Sequence, residues 1–184
     1  MKKLIILLIT VSSLLLPGAA RSEDATIADV VVSRTPALAI TFSVQGAFTK
    51  EMDEAIQSGI PTTFNFVVEV DRVRGAWFDE TLSVTRFSHS VKYDSLKEEY
   101  EISIDEMGEK SIRTKDPKEM KALMSVVTSV DIKSEEPLVK GEQYEFRVKA
   151  ELRTMDLPFL LNYLLFFVKL WDFETGWYSY TYTP

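Results

Sequence analysis

The stretch from Thr49 to Glu80 sets the terms for the rest of the chain. A short helical pattern stops at Gly59, turns at Pro61 and runs into Thr63 to Val70, where Phe64, Phe66, Val68 and Val70 alternate with Asn65, Val67, Glu69 and Asp71. Successive strand side chains point to opposite faces, so the even positions form a core face. The helix carries its own signals: Thr49 as N-cap, and Glu51, Asp53 and Glu54 in the early turns where the dipole favours negative charge. Met52, Ala55 and Ile56 form a narrow apolar stripe, and Gly59 before Ile60-Pro61 ends the helix. A helix delivered directly onto a long strand is a fold-making unit, and the other amphipathic strands need one to close over.

Carrying the same phase forward puts Arg72 and Arg74 on the phenylalanine face, where a dry core cannot take them without paired anions. The strand is therefore expected to leave the core there, pass a loop at Asp79-Glu80 and return as Leu82 to Tyr93, with an irregularity between Val84 and Phe87 where the apolar phase shifts.

Other strands read similarly. Val30-Val31-Val32, within Thr26 to Ser33, is a β-branched cluster expected to be buried on both faces, and it forms a hairpin with Leu38, Ile40, Phe42 and Val44. Tyr93-Asp94-Ser95-Leu96 is a turn leading to Tyr100, Ile102 and Ile104, and Lys110 to Thr114 is a short strand. Asp116-Pro117-Lys118-Glu119 opens a helix with an acidic cap, Pro at the first position and Glu placed for a capping box. Met120, Leu123, Met124, Val127 and Val130 continue it at helical spacing, with a strand over Asp131 to Glu135. Tyr144, Phe146, Val148, Ala150 and Leu152 alternate with charged residues, and Gly176 to Tyr182 is an aromatic strand.

The first 22 residues have a different character. Met1-Lys2-Lys3 is basic, Leu4 to Leu16 is apolar, and Pro17 to Ser22 is a small-residue exit, the pattern of a secretory signal peptide cleaved between Ser22 and Glu23. Residues 23–184 then form one domain in the periplasm, with no transmembrane span in the mature protein. The chain has no Cys, which excludes disulfides, thiol catalysis and Cys-ligated metals. A net charge of −7 argues against nucleic acid and against an anionic membrane surface.

Several patterns occur in a familiar order: Ser58-Gly59-Ile60-Pro61 before an aromatic strand, Tyr93-Asp94-Ser95-Leu96 followed by Tyr100, Gly141 and Tyr144 leading a long strand, Leu157-Pro158, and Trp171-Asp172 with Gly176-Trp177. In these the chain resembles the family of exported proteins known as domain of unknown function 4390, over essentially its whole mature length. The resemblance implies a proteobacterial periplasmic setting and carries no activity, ligand or catalytic residue with it.

Candidate sites are few. His89 is the one histidine, with Ser88, Ser90 and Asp94 near it in sequence; strand neighbours face alternately, so it reads as an ordinary, partly exposed strand residue, and one His does not make a zinc site. A carboxylate-based hydrolase needs a buried acid, whereas Asp94, Glu98, Glu99, Asp105 and Glu106 read as solvated. Arg72, Arg74 and Trp77 read either as an anion-binding rim beside an aromatic wall or as surface arginines paired with Asp71, Asp79 or Glu80. Phe159 to Leu170 is apolar around nearly its whole circumference, so Phe159, Tyr163, Leu164, Phe166, Phe167 and Trp171 are candidates for a core helix, a partner surface or a cavity lining.

The expected fold is α+β: an antiparallel β-sandwich or partly open barrel of eight or nine strands, with two amphipathic helices and one apolar C-terminal helix. The expected function is non-enzymatic binding or interaction in the cell envelope, with no cofactor. The alternatives are a carrier or sensor of an apolar or lipid-like ligand, and a carboxylate-based hydrolase.

Overall fold

The computed structural model describes residues 25–35, 37–75, 78–108, 110–134, 136–154 and 174–184. The expected signal peptide with its expected cleavage point, Trp77, and the apolar segment with Phe159, Tyr163, Leu164, Phe166, Phe167 and Trp171 lie outside the described residues.

Among the described residues nine strands and two α-helices follow in the order β1 (Thr26–Ser33), β2 (Ala39–Gln45), α1 (Lys50–Gln57), β3 (Thr62–Arg72), β4 (Glu80–Asp94), β5 (Glu99–Ile104), β6 (Ser111–Thr114), α2 (Pro117–Ser125), β7 (Val126–Asp131), β8 (Tyr144–Thr154) and β9 (Tyr178–Tyr182). They form two antiparallel sheets, β1-β2-β7 and β6-β5-β4-β3-β8-β9. The described strands do not close into a barrel. The fold is α+β.

The opening unit behaves as its sequence dictates. Thr49 accepts the Met52 N–H at 3.3 Å, and Gly59 takes a positive φ of 84° that ends α1 and turns the chain into β3. Phe64, Phe66, Val68 and Val70 are all fully buried. Phe42 of β2 packs edge-on against Phe66 at 5.7 Å and lies 6.4 Å from Phe87, so these rings join the two sheets. The core also takes Met52 and Ile56 from α1 and Met120 and Met124 from α2.

Four expectations are corrected. Val30 to Val32 are not buried on both faces: β1 is an outer strand, its register shifts between Ala28 and Val31 where Asp29 adopts φ 55°, and Val31 points out. The β4 irregularity falls at Leu82, ahead of Val84 to Phe87. Val70 pairs with Ser83 and Asp71 with Thr81, leaving Leu82 as the extra residue of a bulge and turning Val84 outward. The second helix ends at Ser125, and Val126 to Asp131 form β7, so the strand expected over Asp131 to Glu135 begins five residues earlier. β-branched Val126, Val127, Thr128 and Val130 favour extended backbone. A bulge at Ser129, with φ 53° and its N–H donated to Thr41 Oγ1 at 3.0 Å, spaces the buried Val127 and Val130 three apart, which imitates a helical repeat. Finally, the capping box is relayed. Asp116 caps the Lys118 N–H at 2.8 Å, while the Thr114 hydroxyl accepts the Asp116 N–H at 3.1 Å and donates to Glu119.

Candidate functional site on the outer sheet face

The outer face of the six-stranded sheet is built from the residues that alternate with the core positions. Asn65 and Val67 of β3 pair with Ser88 and Arg86 of β4 on one side and with Glu151 and Lys149 of β8 on the other. The chain enters β9 through Thr175, whose N–H donates to the Ala150 carbonyl at 2.9 Å and whose Oγ1 accepts the Ala150 N–H at 3.0 Å. That double tie sets Trp177 over the β8 side chains. The Arg147 guanidinium lies 5.4 Å and the Lys149 ammonium 5.5 Å from its ring centroid, within cation–π range. Trp177 is still 43% exposed.

Between these side chains lies an open groove of about 600 Å³, reaching from Trp177 and Lys149 across Val67 to Arg86 and Asp105. Most of its charges are matched. Arg147 donates to Glu69 at 2.6 Å and to the buried Asp71 at 2.9 Å. Lys149 pairs with Glu174 and with Glu151, and these carboxylates, Glu174 first, hold the ammonium above its ordinary range. Asp105 accepts both the N–H and the hydroxyl of Ser88, at 2.7 and 2.8 Å. Arg86 differs: exposed on the same face, it makes no hydrogen bond or ion pair among the described residues.

Arg72 and Arg74 come together elsewhere, at the end of β3, on the shared carboxylate of Glu80. Arg72 also donates to Glu136 at 2.9 Å, and its Nε lies 3.0 Å from Glu142 Oε2 without the alignment of a hydrogen bond. Glu136 first, then Tyr144 and Glu142, push the guanidinium further above its ordinary value. The strand leaves the core here, as expected, but two of the three carboxylates come from the β7–β8 loop and not from neighbours in sequence. An incoming anion would have to displace one of them. Trp77 is outside the described residues.

His89 is fully buried, against the expectation of partial exposure. Register places it opposite Phe64 and Ile104, with its ring edge-on to Phe66 at 4.9 Å. Nδ1 lies 3.2 Å from the Met124 carbonyl, which only accepts, so Nδ1 carries a proton. Nε2 lies 2.7 Å from Glu106 Oε1, and that pair holds one further proton between its two atoms. The imidazole thus ties β4 to the turn Asp105–Met107 and to the end of α2. Ser88 turns to Asp105, Asp94 caps Leu96 and Lys97 in the next turn, and no Ser-His-Asp array forms.

Among the described residues, no group of three or more His, Asp or Glu is placed to hold a metal, and no helix is long and apolar enough to cross a membrane. Comparison with curated proteins and with solved structures finds no match. Residues 23–181 match the model of a family described as a domain of unknown function (DUF4390). With nearly all of its length matched, the chain belongs to that family, as the order of its motifs led us to expect.

Proposed function

We propose that this protein is a non-enzymatic interaction protein of the cell envelope, exported to the periplasm, which binds a partner protein through the outer face of its six-stranded sheet. The observation that carries this reading is the pairing of an exposed Trp177, braced over Arg147 and Lys149, with the unpartnered Arg86 across one open groove. Trp and Arg dominate the energetics of protein interfaces because each combines a large contact area with directional polar groups. A ring already held in place loses little side-chain entropy on binding. The one imidazole of the chain is committed inside the core, and the carboxylates of the turn it contacts, Asp105 and Glu106, are engaged with Ser88 and His89. These engagements favour binding over acid–base chemistry.

The test is site-specific photocrosslinking in the producing cell, with a benzophenone side chain at position 86, at position 177, or at the distant, 95% exposed Leu96. Discrete adducts from position 86 that Trp177→Ala suppresses, and from position 177 that Arg86→Ala suppresses, with none from position 96, support the reading. Equal adducts from all three positions, or none from 86 and 177, overturn it. Recovery of the protein in the periplasmic fraction with an N-terminus at Glu23 is the matching expectation for export, and a cytoplasmic protein starting at Met1 would refute it.

A further inference from the structure

Among the described residues, only the stretch His89 to Asp94 of β4 has a strand neighbour on its far side. β3 lines β4 from Glu80 to Val91, whereas β5 pairs with His89 to Asp94 and no further. In an antiparallel strand the backbone groups of alternate residues point to opposite edges. The Ser88 N–H points away from β3, because it donates to Asp105 beyond the end of β5. Register is continuous from Ser83 to Val91, so the N–H and C=O of Arg86 and Val84 point the same way. Neither residue has a backbone partner on that edge among the described residues.

The open edge faces a cleft of about 430 Å³ whose far wall is Asp131 and Lys133, at the end of β7. One end of the cleft is closed by the Ser83 hydroxyl, which donates to the Lys133 carbonyl at 2.8 Å. Beyond its other end, the next outward N–H of β4, that of Ser88, is closed off by Asp105. Two donors and two acceptors in extended register lie between these closures. The cleft holds two cations, Arg86 and Lys133, against one anion, Asp131, in a chain whose overall charge is −7. Val84, 41% exposed, adds an apolar contact beside them.

We propose that the partner engages here by strand addition: an extended peptide segment bearing acidic side chains pairs with β4 along Val84 to Arg86. This rests on the interaction reading above and specifies its chemistry. Backbone pairing supplies the affinity, as in other cases where a peptide extends a sheet edge, and alternate side chains supply the choice of partner. An acidic residue facing Arg86 satisfies the one unpaired guanidinium of the groove. The same arrangement disfavours a second copy of this chain, because an unpaired arginine on an exposed edge is the usual device against self-pairing.

The experiment uses the folded protein and a defined probe, the capped peptide acetyl-Glu-Val-Thr-Val-Glu-amide. Its controls are the same peptide N-methylated at alternate amides and a version with Lys in place of Glu. Amide chemical shifts read the site. Expected are shifts and slowed hydrogen exchange confined to Val84 to Ser88 and Asp131 to Lys133, loss of binding with the N-methylated peptide, and roughly fivefold weaker binding of the Lys version. Arg86→Glu is expected to reverse that charge preference. Val84→Pro removes an outward N–H without touching the β3 ladder, is tolerated on an edge, and is expected to abolish binding while leaving distant amide shifts in place. No shifts in this region, or shifts that survive N-methylation, overturn the proposal. Photocrosslinks that persist in Val84→Pro overturn strand addition alone, whereas their absence in the unmodified protein overturns the interaction reading itself.

Discussion

Replacing His89 by Phe tests whether the buried imidazole is a structural tie. The phenyl ring keeps the packing against Phe66 and Phe87 but leaves the Glu106 carboxylate and the Met124 carbonyl without their partner. A hydrogen bond to a charged group contributes about 1.5–3 kcal/mol, and a buried carbonyl left unsatisfied costs about 1–3 kcal/mol. Glu106 keeps 17% of its side chain exposed and recovers part of its loss by hydration, so we expect His89→Phe to cost about 3 kcal/mol. Against a total stability of about 5–15 kcal/mol, that is a large fraction, worth roughly 6–12 °C in Tm. Glu106→Gln keeps a hydrogen bond, because its amide donates to Nε2, and is expected to cost about 1 kcal/mol. Urea unfolding of the wild type, both single variants and the double variant at pH 7 then yields the coupling, expected at about 2 kcal/mol. A His89→Phe cost below about 0.5 kcal/mol would refute the assignment of the imidazole as a tie between β4, the Asp105–Met107 turn and α2.

Phe42→Ala removes the ring that joins the two sheets and is expected to cost about 4 kcal/mol in chemical denaturation, where a cost near 1 kcal/mol would mean the sheets are not joined through it. Ser129→Gly relieves a left-handed conformation at the β7 bulge, and differential scanning calorimetry is expected to show it about 1 kcal/mol more stable. The backbone N–H groups of Lys97 first, and then of Leu96, hold the Asp94 carboxylate below its ordinary value of 3.8. Its contribution is therefore present above that value and is lost as pH falls through the depressed folded value. Asp94→Ala is expected to be less stable than wild type at pH 7 by an amount that stays constant down to about pH 5 and then shrinks with further acidification; a gap independent of pH would refute it.

Where one residue type and one period dominate, the fold is legible in the chain. Phe64 to Val70 and Tyr144 to Leu152 alternate without interruption, and both lie in the middle of the six-stranded sheet with one face buried. Bulges defeat the same reading. Val127 and Val130 carry a three-residue spacing produced by Ser129, and coming after Met120 and Met124 they prolong an apparent helix that the backbone has already left. Leu82 shifts the phase of β4 in the same way, and the disturbance shows in sequence only further along, near Val84.

The site was less legible, because it is assembled across strands. For Arg72 the sequence offers only nearby partners, Asp71, Asp79 or Glu80, of which Glu80 is used, whereas Glu136 and Glu142 arrive from a distant loop. Arg86 looks like any surface arginine until β3 and β8 place Val67, Lys149 and Trp177 on the same face. His89 looked exposed because its neighbours are polar; the acceptors that allow its burial, Met124 and Glu106, belong to other elements. A signal for the groove was present in the charged alternation of β8 and in the aromatic entry to β9, but the sequence does not say that these strands are neighbours.

The position of β3 has a kinetic consequence. On one side it pairs with β4, which follows directly in the chain, and on the other with β8, whose partners lie about 80 residues further on, as in Phe66 with Ala150. The hairpin forms early and cheaply, whereas the second ladder waits for a long loop to close, and chains dominated by such distant pairings fold on the millisecond to second scale. Until β8 docks, the strand that carries Phe64, Phe66, Val68 and Val70 shows an unpaired edge to solvent. A fragment ending before Tyr144 would keep that edge permanently, and aggregation of such a fragment would follow from topology alone.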